Sequence, residues 1–434
     1  MKILLFCDRP HEEESASTII DHIDSFGKYS YHDLVVWSKR NALPDNNTLA
    51  SFDCLIIHYS ISLLYDRYVS RQTLEKIKTF NGLKILFIQD EYRRVNFACK
   101  KINYAEIDLV YSCAPVDTSK KMYEGLNQEI ILKTTLTGYV PEKLYESKLK
   151  PISGRKIHVG YRARKCPFFL GRKGYEKYLI GRTFLKYSHG SNLICDISSK
   201  ESDRLYGKKW TEFISNCRTT LGTESGSSII DFTGEIEYDL NFYQAFHPFA
   251  CLGDLPKKYL STDGKLEIQV ISPRCFEAAA LGTVMVLFPG NYSGVLIRDK
   301  HYVGLEKDFS NVDEVIDKIN DDNYLQEMSD FAHSDLVQSK EFSYEKFIQQ
   351  VDKDLDELIV VKNFKPTSRK ETNLSLEIDT YEKSTVSQNS MIRNFFHKVW
   401  KILPEWIRFI LMVTVLRKKY FCHFNKVKYS YLNS

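Results

Sequence analysis

Short apolar runs alternate with amphipathic stretches along the first third of the chain. Runs typical of buried strands occupy residues 2–7, 34–37, 54–59, 84–89, 109–112 and 130–135. Helical patterns lie between several of them, at 15–26, 70–80 and 116–125. Strands that alternate with helices predict a parallel, doubly wound sheet, whose ligands bind outside the carboxyl ends of the strands.

The alternation resumes beyond a connecting segment at 143–155. Strands are predicted at 156–161, 192–196 and 284–288, and helices at 208–217, 274–281, 312–319 and 342–359. The helix at 274–281 has a clear start and stop, because Ser272 can cap it, Pro273 fits its first position and Gly282 suits the residue after its end. Residues 235–265 are aromatic and irregular, and no element is predicted there.

These patterns predict an α/β protein with two doubly wound, Rossmann-like domains that face a cleft, at residues 1–145 and 156–345. A closing helix at 346–361 follows, in which Asp352 and Asp354 are expected to lie on a solvated face. A helical C-terminal extension completes the expected fold.

The extension divides into a polar segment at 362–390, predicted to be a flexible linker, and a basic, apolar tail at 391–434. The tail holds nine Lys and Arg residues and one Glu, a net +8, so the rest of the chain carries −4 of the total +4. Its most apolar run, 406–416, is too short for a membrane span, which needs about 20 apolar residues. We expect the tail to lie on an anionic membrane surface, and the alternative is a helix docked on the body or on a second subunit.

Composition limits the class of protein. Of the 434 residues, 43% are hydrophobic and 27% charged, as in soluble globular proteins. The ten cysteines are scattered without a CxxC pair or zinc spacing, which favours a reducing cytoplasm over a disulfide framework. The slightly acidic body disfavours nucleic-acid binding, and the N-terminal run lacks the basic start and long apolar core of a signal peptide.

The first junction between a strand and a helix, at 8–17, contains no glycine. The G-x-G-x-x-G fingerprint that lets the backbone approach a dinucleotide pyrophosphate is therefore missing, and no G-x-x-x-x-G-K-[ST] loop occurs in the chain. These two absences from the sequence disfavour an NAD or FAD enzyme and a P-loop NTPase.

Candidate catalytic residues in the first domain follow its predicted strands. Asp90 and Glu91 come directly after the strand at 84–89, where either carboxylate could act as a general base or accept hydrogen bonds from a sugar. The alternative is that one of them only caps the next helix. His11, in the first loop, and His58, after the third strand, are weaker candidates, because a lone histidine there is more often part of the core.

Candidate binding residues in the second domain are cationic or flanked by small polar residues. Arg162, Arg164 and Lys165 follow the strand at 156–161 and suggest an anion site that fits a diphosphate, rather than a solvated loop, and Lys177 opens the next helix. Glu224 lies in the loop at 222–228, which could line a ligand pocket or be an ordinary turn. Trp210, by contrast, has helical spacing typical of core residues.

Glu277 lies in the helix at 274–281, beyond the position where a carboxylate would help to start it. It shares a helix face with Arg274. A carboxylate and a guanidinium near the positive end of a helix can hold a sugar hydroxyl and a phosphate, whereas the alternative is an ordinary surface ion pair.

Residues 272–283, SPRCFEAAALGT, closely resemble the donor-binding segment of the group 1 (family 4-like) glycosyltransferases, especially the branch related to spore-maturation glycosyltransferases. The stretches VGYRAR, LGTESGSS and LFIQDEYR are similar to parts of proteins from bacterial polysaccharide gene sets. The resemblance implies a GT-B-like fold, with Glu277 on the ribose of a nucleotide donor and Arg162, Arg164 or Lys177 on its diphosphate.

Two departures from that family stand out. Many group 1 enzymes have a second glutamate eight positions before the one that matches Glu277, and this chain has Gln269 there. The glycine-rich first loop of many relatives is also replaced, by residues 8–17. Retention and inversion of the sugar's configuration therefore both stay open, as do the donor sugar, the acceptor and the oligomeric state.

The function expected from these observations is a cytoplasmic, membrane-peripheral glycosyltransferase of bacterial cell-surface polysaccharide synthesis, at the inner face of the plasma membrane. It would move a sugar from a nucleotide-diphosphate donor to a glycan or lipid-linked acceptor, without a metal or cofactor. Its expected catalytic residues are Asp90, Glu91 and His11, and its expected donor-binding residues are Glu277, Arg274, Ser272, Arg162, Arg164, Lys177 and Glu224. The rivals are a sugar-nucleotide epimerase and a non-catalytic protein of the same fold.

Overall fold

The computed structural model describes residues 1–10, 17–247 and 250–366. His11 and the tail at 391–434 lie outside the described residues, so their predicted roles stay predictions. The first domain is built on a sheet of six parallel strands, β1 (Lys2–Cys7), β2 (Asp33–Ser38), β3 (Cys54–Ile57), β4 (Leu83–Ile88), β5 (Leu109–Ser112) and β6 (Ile131–Thr134). Its helices are α1 (Ser17–Tyr29), α2 (Asn46–Leu49), α3 (Arg71–Thr79), α4 (Val95–Ala105) and α5 (Val116–Met122).

The strand order β2-β1-β3-β4-β5-β6 places β1 at the point where the winding of the sheet reverses. The central strands β1 and β3 are buried along their whole length, which explains why their sequences, apart from Lys2 at the start of β1, are apolar rather than alternating. Helices cover both faces, as the doubly wound prediction requires. Residues that follow β1 and β3 therefore lie at the edge where such sheets bind ligands.

The second domain has a five-stranded parallel sheet with the order β13-β12-β9-β7-β8. Its strands are β7 (Ile157–Arg162), β8 (Cys195–Ser198), β9 (Cys217–Gly222), β12 (Val284–Leu287) and β13 (Tyr302–Gly304), while β10 (Ser225–Ser227) and β11 (Ile268–Val270) form a separate antiparallel pair. Its helices are α6 (Gly171–Tyr187), α7 (Gly207–Ser215), α8 (Glu235–Phe246), α9 (Lys257–Leu260), α10 (Pro273–Ala280), α11 (Val312–Asn320) and α12 (Asp322–His333). Two Rossmann-like domains, the predicted fold class, are confirmed.

The expectation that residues 235–265 lack regular structure is wrong, since they hold α8 and α9. Ile236, Leu240 and Tyr243 are spaced as one helix face, and Leu240 is fully buried against a small apolar cluster. Further aromatic residues on the other faces of α8 hide this stripe in the sequence.

The last described helix, α13 (Tyr344–Val361), returns to pack on the first domain. Its apolar face joins the core on the α1 side of the first sheet, through Phe347, Val351 and Leu355. Asp352 and Asp354 are buried on this helix, so the prediction of a solvated face is wrong. Asp352 accepts hydrogen bonds from the Ser30 hydroxyl and the Tyr31 amide, and Asp354 accepts from the Tyr111 hydroxyl and pairs with Lys133. No helix in the described ranges is long and apolar enough to cross a membrane.

The two domains are joined beside the cleft by what we call the strap, residues 231–237 of the second domain. The Asp231 amide donates to the Tyr92 carbonyl at 2.8 Å, and the Val95 amide donates to the Asp231 carbonyl at 3.1 Å. Arg93 forms a two-pronged ion pair with Glu237. Under the strap, an apolar cluster contains residues from both domains: Val95, Cys99, Met122 and Tyr123 with Ile230, Ile268 and Val270.

A second junction, the hinge, lies where the chain leaves the first domain. The Thr137 hydroxyl donates to the Ile271 carbonyl at 2.6 Å. A Cβ atom at Gly138 would lie 3.0 Å from both Thr18 Cγ2 and Pro273 Cγ, so only glycine fits without displacing a neighbour. The first turns of α1 and α10 therefore meet at this position.

Candidate functional site

The carboxyl ends of the two sheets face one cleft of about 1850 Å³. First-domain residues of its wall include Ser17, Thr18, Asp21, Tyr59, Ser60, Gln89, Asp90 and Glu91. Second-domain residues include Tyr161, Arg162, Arg164, Lys177, Trp210, Thr223, Ser272, Arg274 and Glu277. Among the described residues, eleven Lys or Arg line the cleft against six Asp or Glu, so this described lining is net basic while the body around it is slightly acidic.

Glu277 reaches the cleft from α10, whose end is fixed by a Schellman motif. The Gly282 amide donates to the Ala279 carbonyl and the Thr283 amide to the Ala278 carbonyl, and Gly282 adopts the left-handed conformation expected of it. Ser272 occupies the cap position, but its side chain makes no capping hydrogen bond, so the predicted cap is wrong. Ser272 lines the cleft instead.

Glu277 is 8% exposed, and only one of its two carboxylate oxygens accepts a hydrogen bond from a described residue. Its Oε2 accepts a hydrogen bond from Trp210 Nε1 at 2.8 Å, and within the described part of the chain its Oε1 accepts none. Burial raises the pKa of Glu277, while the Trp210 hydrogen bond and the charge of Arg274 act in the opposite direction. One carboxylate oxygen is thus held in place and the other is left for a ligand.

Trp210 packs against the core of the second domain, as its spacing predicts, and it also lines the cleft. The Arg274 guanidinium lies over its ring, 5.0 Å from the centroid, and Arg274 also donates to the Arg162 carbonyl at 2.6 Å. The ring therefore holds two functional side chains, one by a hydrogen bond and one by a cation–π contact.

A group of cations gathers beside Glu277. Lys177 is half buried and donates to the Ser225 hydroxyl at 3.1 Å. Burial lowers the pKa of Lys177, and the positive charges of Arg274 and Arg164 add to this effect. The exposed Arg164 guanidinium has no hydrogen-bond or ion-pair partner among the described residues. Like charges gathered at a cleft favour an anionic ligand, and a diphosphate matches the two or three donors on offer.

Arg162 does not belong to this group, although the sequence predicts that it does. Its guanidinium donates to the carbonyls of Asp203, Tyr161 and Asp196, pairs with the Asp196 carboxylate at 2.8 Å and lies over the Phe213 ring. These contacts use its donors to hold the ends of β7 and β8 together. Arg162 supports the wall of the cleft rather than contacting an anion.

Glu224 is also structural. It is buried, pairs with Lys173 at 2.6 Å and accepts hydrogen bonds from the amides of Asn291 and Tyr292 at 3.0 Å each. These contacts join the end of β9 to α6 and to the turn after β12. The predicted donor contact of Glu224 is therefore replaced by a role inside the second domain.

The two predicted carboxylates of the first domain separate into an exposed one and a buried one. Asp90 is exposed at the end of β4, adopts a left-handed backbone conformation with φ 56°, and accepts a hydrogen bond from the Tyr92 hydroxyl. Glu91 is buried and accepts four hydrogen bonds, from the Ser112 and Tyr123 hydroxyls and the Cys113 and Ala114 amides. Burial raises the pKa of Glu91, but its oxygens are occupied, so it braces the loop before α5, and of these two carboxylates Asp90 stays the candidate base.

His58 is a core residue, which is the alternative that the sequence offers to a catalytic role. The Ser60 amide donates to His58 Nδ1 at 3.0 Å, so the ring proton lies on Nε2 and is donated to His22 Nδ1 at 3.0 Å. Both rings are buried, and burial lowers the pKa of His22 to about 3. The pair is neutral and braces the wall of the cleft at Ser60.

Asp21 is a cleft residue for which the sequence gives no signal. It lies on α1, a helix with ordinary amphipathic spacing, where an acidic residue is normally solvated. The side chain is only 19% exposed, and its Oδ1 lies 3.5 Å from Lys143 Nζ. Within the described ranges, no cluster of three or more His, Cys, Asp or Glu residues is arranged to hold a metal ion.

The sequence matches no protein-family model and no curated protein. Solved structures with a similar fold include an alpha-glucosyltransferase in complex with UDP-glucose and DNA containing an abasic site. The two sequences are 11% identical, and the match covers 82% of this chain and 99% of that one, with a TM-score of 0.49. HepE of Anabaena in complex with UDP-glucose is 12% identical over 82% of this chain and 100% of its own, with a TM-score of 0.48. Likeness at this level does not decide what this chain binds.

Proposed function

We propose that this protein is a glycosyltransferase that moves a sugar from a nucleotide-diphosphate donor to a glycan or lipid-linked acceptor in bacterial cell-surface polysaccharide synthesis. The observation that carries the proposal is the pairing of a half-engaged carboxylate, Glu277, with the cations Lys177, Arg164 and Arg274 at one edge of a doubly wound sheet. The resemblance of residues 272–283 to a donor-binding segment supports the same assignment.

The chemistry follows from the charges. Glu277 accepts a hydrogen bond from a donor hydroxyl, with Trp210 holding the carboxylate in place. The three cations face the diphosphate, whose negative charge grows as the bond to the sugar breaks, and fixed cations lower the energy of that state. In this proposal the three cations take the part that a metal ion plays in other transferases. The first domain, with Asp90 at the end of β4, binds the acceptor.

The setting is proposed from the sequence. Residues 391–434 would attach the protein to the inner face of the plasma membrane, close to a lipid-linked acceptor. The net +8 charge of this segment and its apolar run at 406–416 support that placement.

Binding measurements with purified full-length protein test the donor site. The probes are a panel of UDP-, GDP-, ADP- and dTDP-sugars, including the UDP-glucose of both similar structures, measured by calorimetry. We expect at least one to bind, and Glu277→Gln to weaken binding about tenfold or more, since a hydrogen bond to a charged group contributes about 1.5–3 kcal/mol. Glu314→Gln, an exposed residue on α11, is the matched control and should bind like the wild type.

Three results would overturn the proposal. Binding of no nucleotide sugar would favour the non-catalytic protein. Conversion of the sugar nucleotide without an acceptor would identify an epimerase. Equal affinity of the Glu277→Gln variant and the wild type would remove Glu277 from the site.

A further inference from the structure

Asp90 is fixed by the residues on both sides of it in the chain. Before it, Gln89 Nε2 donates to the Thr137 carbonyl in the hinge at 3.2 Å. After it, the buried Glu91 carboxylate accepts its four hydrogen bonds. Between these two anchors the Asp90 backbone is left-handed, with φ 56°. This conformation is costly for a residue other than glycine, so it persists only where the surrounding structure imposes it.

The Asp90 carboxylate is held at one oxygen only. Its Oδ1 accepts a hydrogen bond from the Tyr92 hydroxyl at 3.0 Å, while its Oδ2 accepts none from the part of the chain that the structure describes. Asp90 is exposed and lines the cleft, so Oδ2 is open to a ligand there. Burial raises the pKa of Tyr92, and the Asp90 charge adds to this effect, so the phenol keeps its proton and stays a donor.

Tyr92 is itself held by the second domain. Its carbonyl accepts the hydrogen bond from the Asp231 amide of the strap. Its ring packs against an apolar cluster of the second domain, with the Phe169 ring at a centroid distance of 6.4 Å. Phe169 and Arg164 both lie between β7 and α6. The position of the Asp90 carboxylate is therefore set by contacts with the domain that is proposed to bind the donor.

Asp90 faces the proposed diphosphate site across the cleft. Burial lowers the pKa of Lys177, and the Asp90 charge opposes this effect, so the two side chains are close enough to interact. Glu91 and the Cys113 thiol lie buried behind Asp90, and burial, together with the charges of both carboxylates, raises the pKa of Cys113. A carboxylate oxygen that is open to the cleft opposite these cations is placed to accept a proton from the hydroxyl that attacks the sugar.

We propose that Tyr92 is a positioning residue for proton transfer: its hydroxyl fixes Asp90 Oδ1, so that Asp90 Oδ2 accepts the proton of the attacking hydroxyl. The inference rests on the proposed function and adds Tyr92 to it. In this step the hydroxyl oxygen forms a bond to the anomeric carbon of the sugar, and its proton passes to Oδ2. The bond from that carbon to the diphosphate breaks, and its electron pair leaves with the nucleoside diphosphate.

Hydrolysis of a nucleotide sugar tests this role without an identified acceptor, because water then supplies the attacking hydroxyl. The probe is UDP-glucose, or the member of the calorimetric panel that binds if UDP-glucose does not, and the release of nucleoside diphosphate by the full-length protein is measured against pH. In Tyr92→Phe we expect kcat to fall several-fold with KM unchanged. The acidic limb of the kcat profile should move to higher pH, since the lost hydrogen bond favours the charged form of Asp90.

A matched control and a second background separate positioning from folding. Tyr104→Phe removes a hydroxyl that donates to Glu75 on the exposed surface of the same domain, and it should leave hydrolysis unchanged. Asp90→Asn should remove most of the hydrolysis. Adding Tyr92→Phe to Asp90→Asn should then cause no further loss, because the two residues act as one unit.

The proposal is wrong if Tyr92→Phe keeps the kcat and the acidic limb of the wild type. An equal loss from Tyr92→Phe in the wild-type and Asp90→Asn backgrounds would also overturn it, since Tyr92 would then act on the fold alone. A wild type that binds the nucleotide sugar but does not hydrolyse it would rule out an open base at Oδ2. Absence of any nucleotide-sugar binding would instead count against the proposed function itself.

Discussion

At the scale of single residues, His22 and His58 show how a buried pair ties stability to pH. Each ring is held neutral because it lies in the core and because the Ser60 amide faces His58 Nδ1 as a donor. Protonation of His58 would place two donors against each other. Burial lowers the pKa of both rings, to about 3 for His22.

We expect the free energy of unfolding to be highest above about pH 6.5 and to fall as the pH drops from 6.5 toward 3. The unfolded chain binds protons at these histidines in that range and the folded chain does not, so each histidine contributes a slope of up to about 1.4 kcal/mol per pH unit. His22→Asn keeps an acceptor for His58 and should flatten the slope, as measured by urea unfolding at several pH values. Exposed His189→Asn should not, and an unchanged slope in His22→Asn would contradict this account.

Single site residues differ in how far the sequence could predict them. Glu277 stands out because helix initiation does not explain a carboxylate at that position. Glu91, Glu224 and Arg162 have the right residue types at strand ends, but nearly all of their side-chain hydrogen-bond partners lie more than 20 residues away along the chain. Only the folded structure shows that these partners occupy their polar atoms and leave nothing for a ligand.

At the scale of elements, the buried pair Lys173–Glu224 holds three parts of the second domain together. It joins α6 to the end of β9 and, through the amides of Asn291 and Tyr292, to the turn after β12. Gly290 in that turn lies so close to Glu224 that an added Cβ would be 2.6 Å from its Cδ. The pair thereby fixes the end of β9 next to Ser225, whose hydroxyl accepts a hydrogen bond from Lys177.

We expect Glu224→Ala to lower the free energy of unfolding by about 3–5 kcal/mol, because it leaves the Lys173 charge buried without a partner. The double variant Lys173→Met with Glu224→Gln removes both charges, keeps an acceptor for the two amides and should recover most of the loss. Urea unfolding measures both. Lys318→Met, which breaks the exposed pair with Glu314, should change stability by less than about 1 kcal/mol, and an equal loss in the single and double variants would contradict the charge argument.

Elements with long apolar runs could be predicted from sequence, and those with mixed faces could not. The fully buried strands β3 and β12 have continuous apolar sequences, and α10 has a proline start and a glycine stop. The helix α8 was not predicted because aromatic residues on its other faces obscure its apolar stripe. Asp352 and Asp354 of α13 are predicted to be solvated, since nothing local indicates that Ser30 contacts the first and that Tyr111 and Lys133 contact the second.

At the scale of the whole molecule, the sequence separates a slightly acidic body from a basic tail. The folded body concentrates cations in its cleft, while the net +8 charge lies at 391–434. Two basic regions therefore have different expected partners, a soluble nucleotide sugar for the cleft and an anionic lipid surface for the tail.

We expect the full-length protein to sediment with vesicles that contain phosphatidylserine and to stay in solution with phosphatidylcholine alone. Replacement of Arg417, Lys418 and Lys419 by Gln should weaken sedimentation by at least tenfold, since each basic residue near such a surface contributes about 1 kcal/mol. Nucleotide-sugar binding should be unchanged in the same variant. Equal sedimentation of the variant and the wild type would favour a tail that packs on protein.

The strap, together with the hinge, limits how the two domains can move relative to each other. The strap and the hinge attach the second domain to the first at two separate places. A rigid body held at two points keeps one degree of rotational freedom, about the line through them, and an arginine–glutamate pair and an apolar cluster resist even that rotation. Under the proposed function, exchange of the nucleotide needs a small rocking about that axis. We expect the frequency of this motion, rather than a wide separation of the domains, to set the upper limit on how fast products leave.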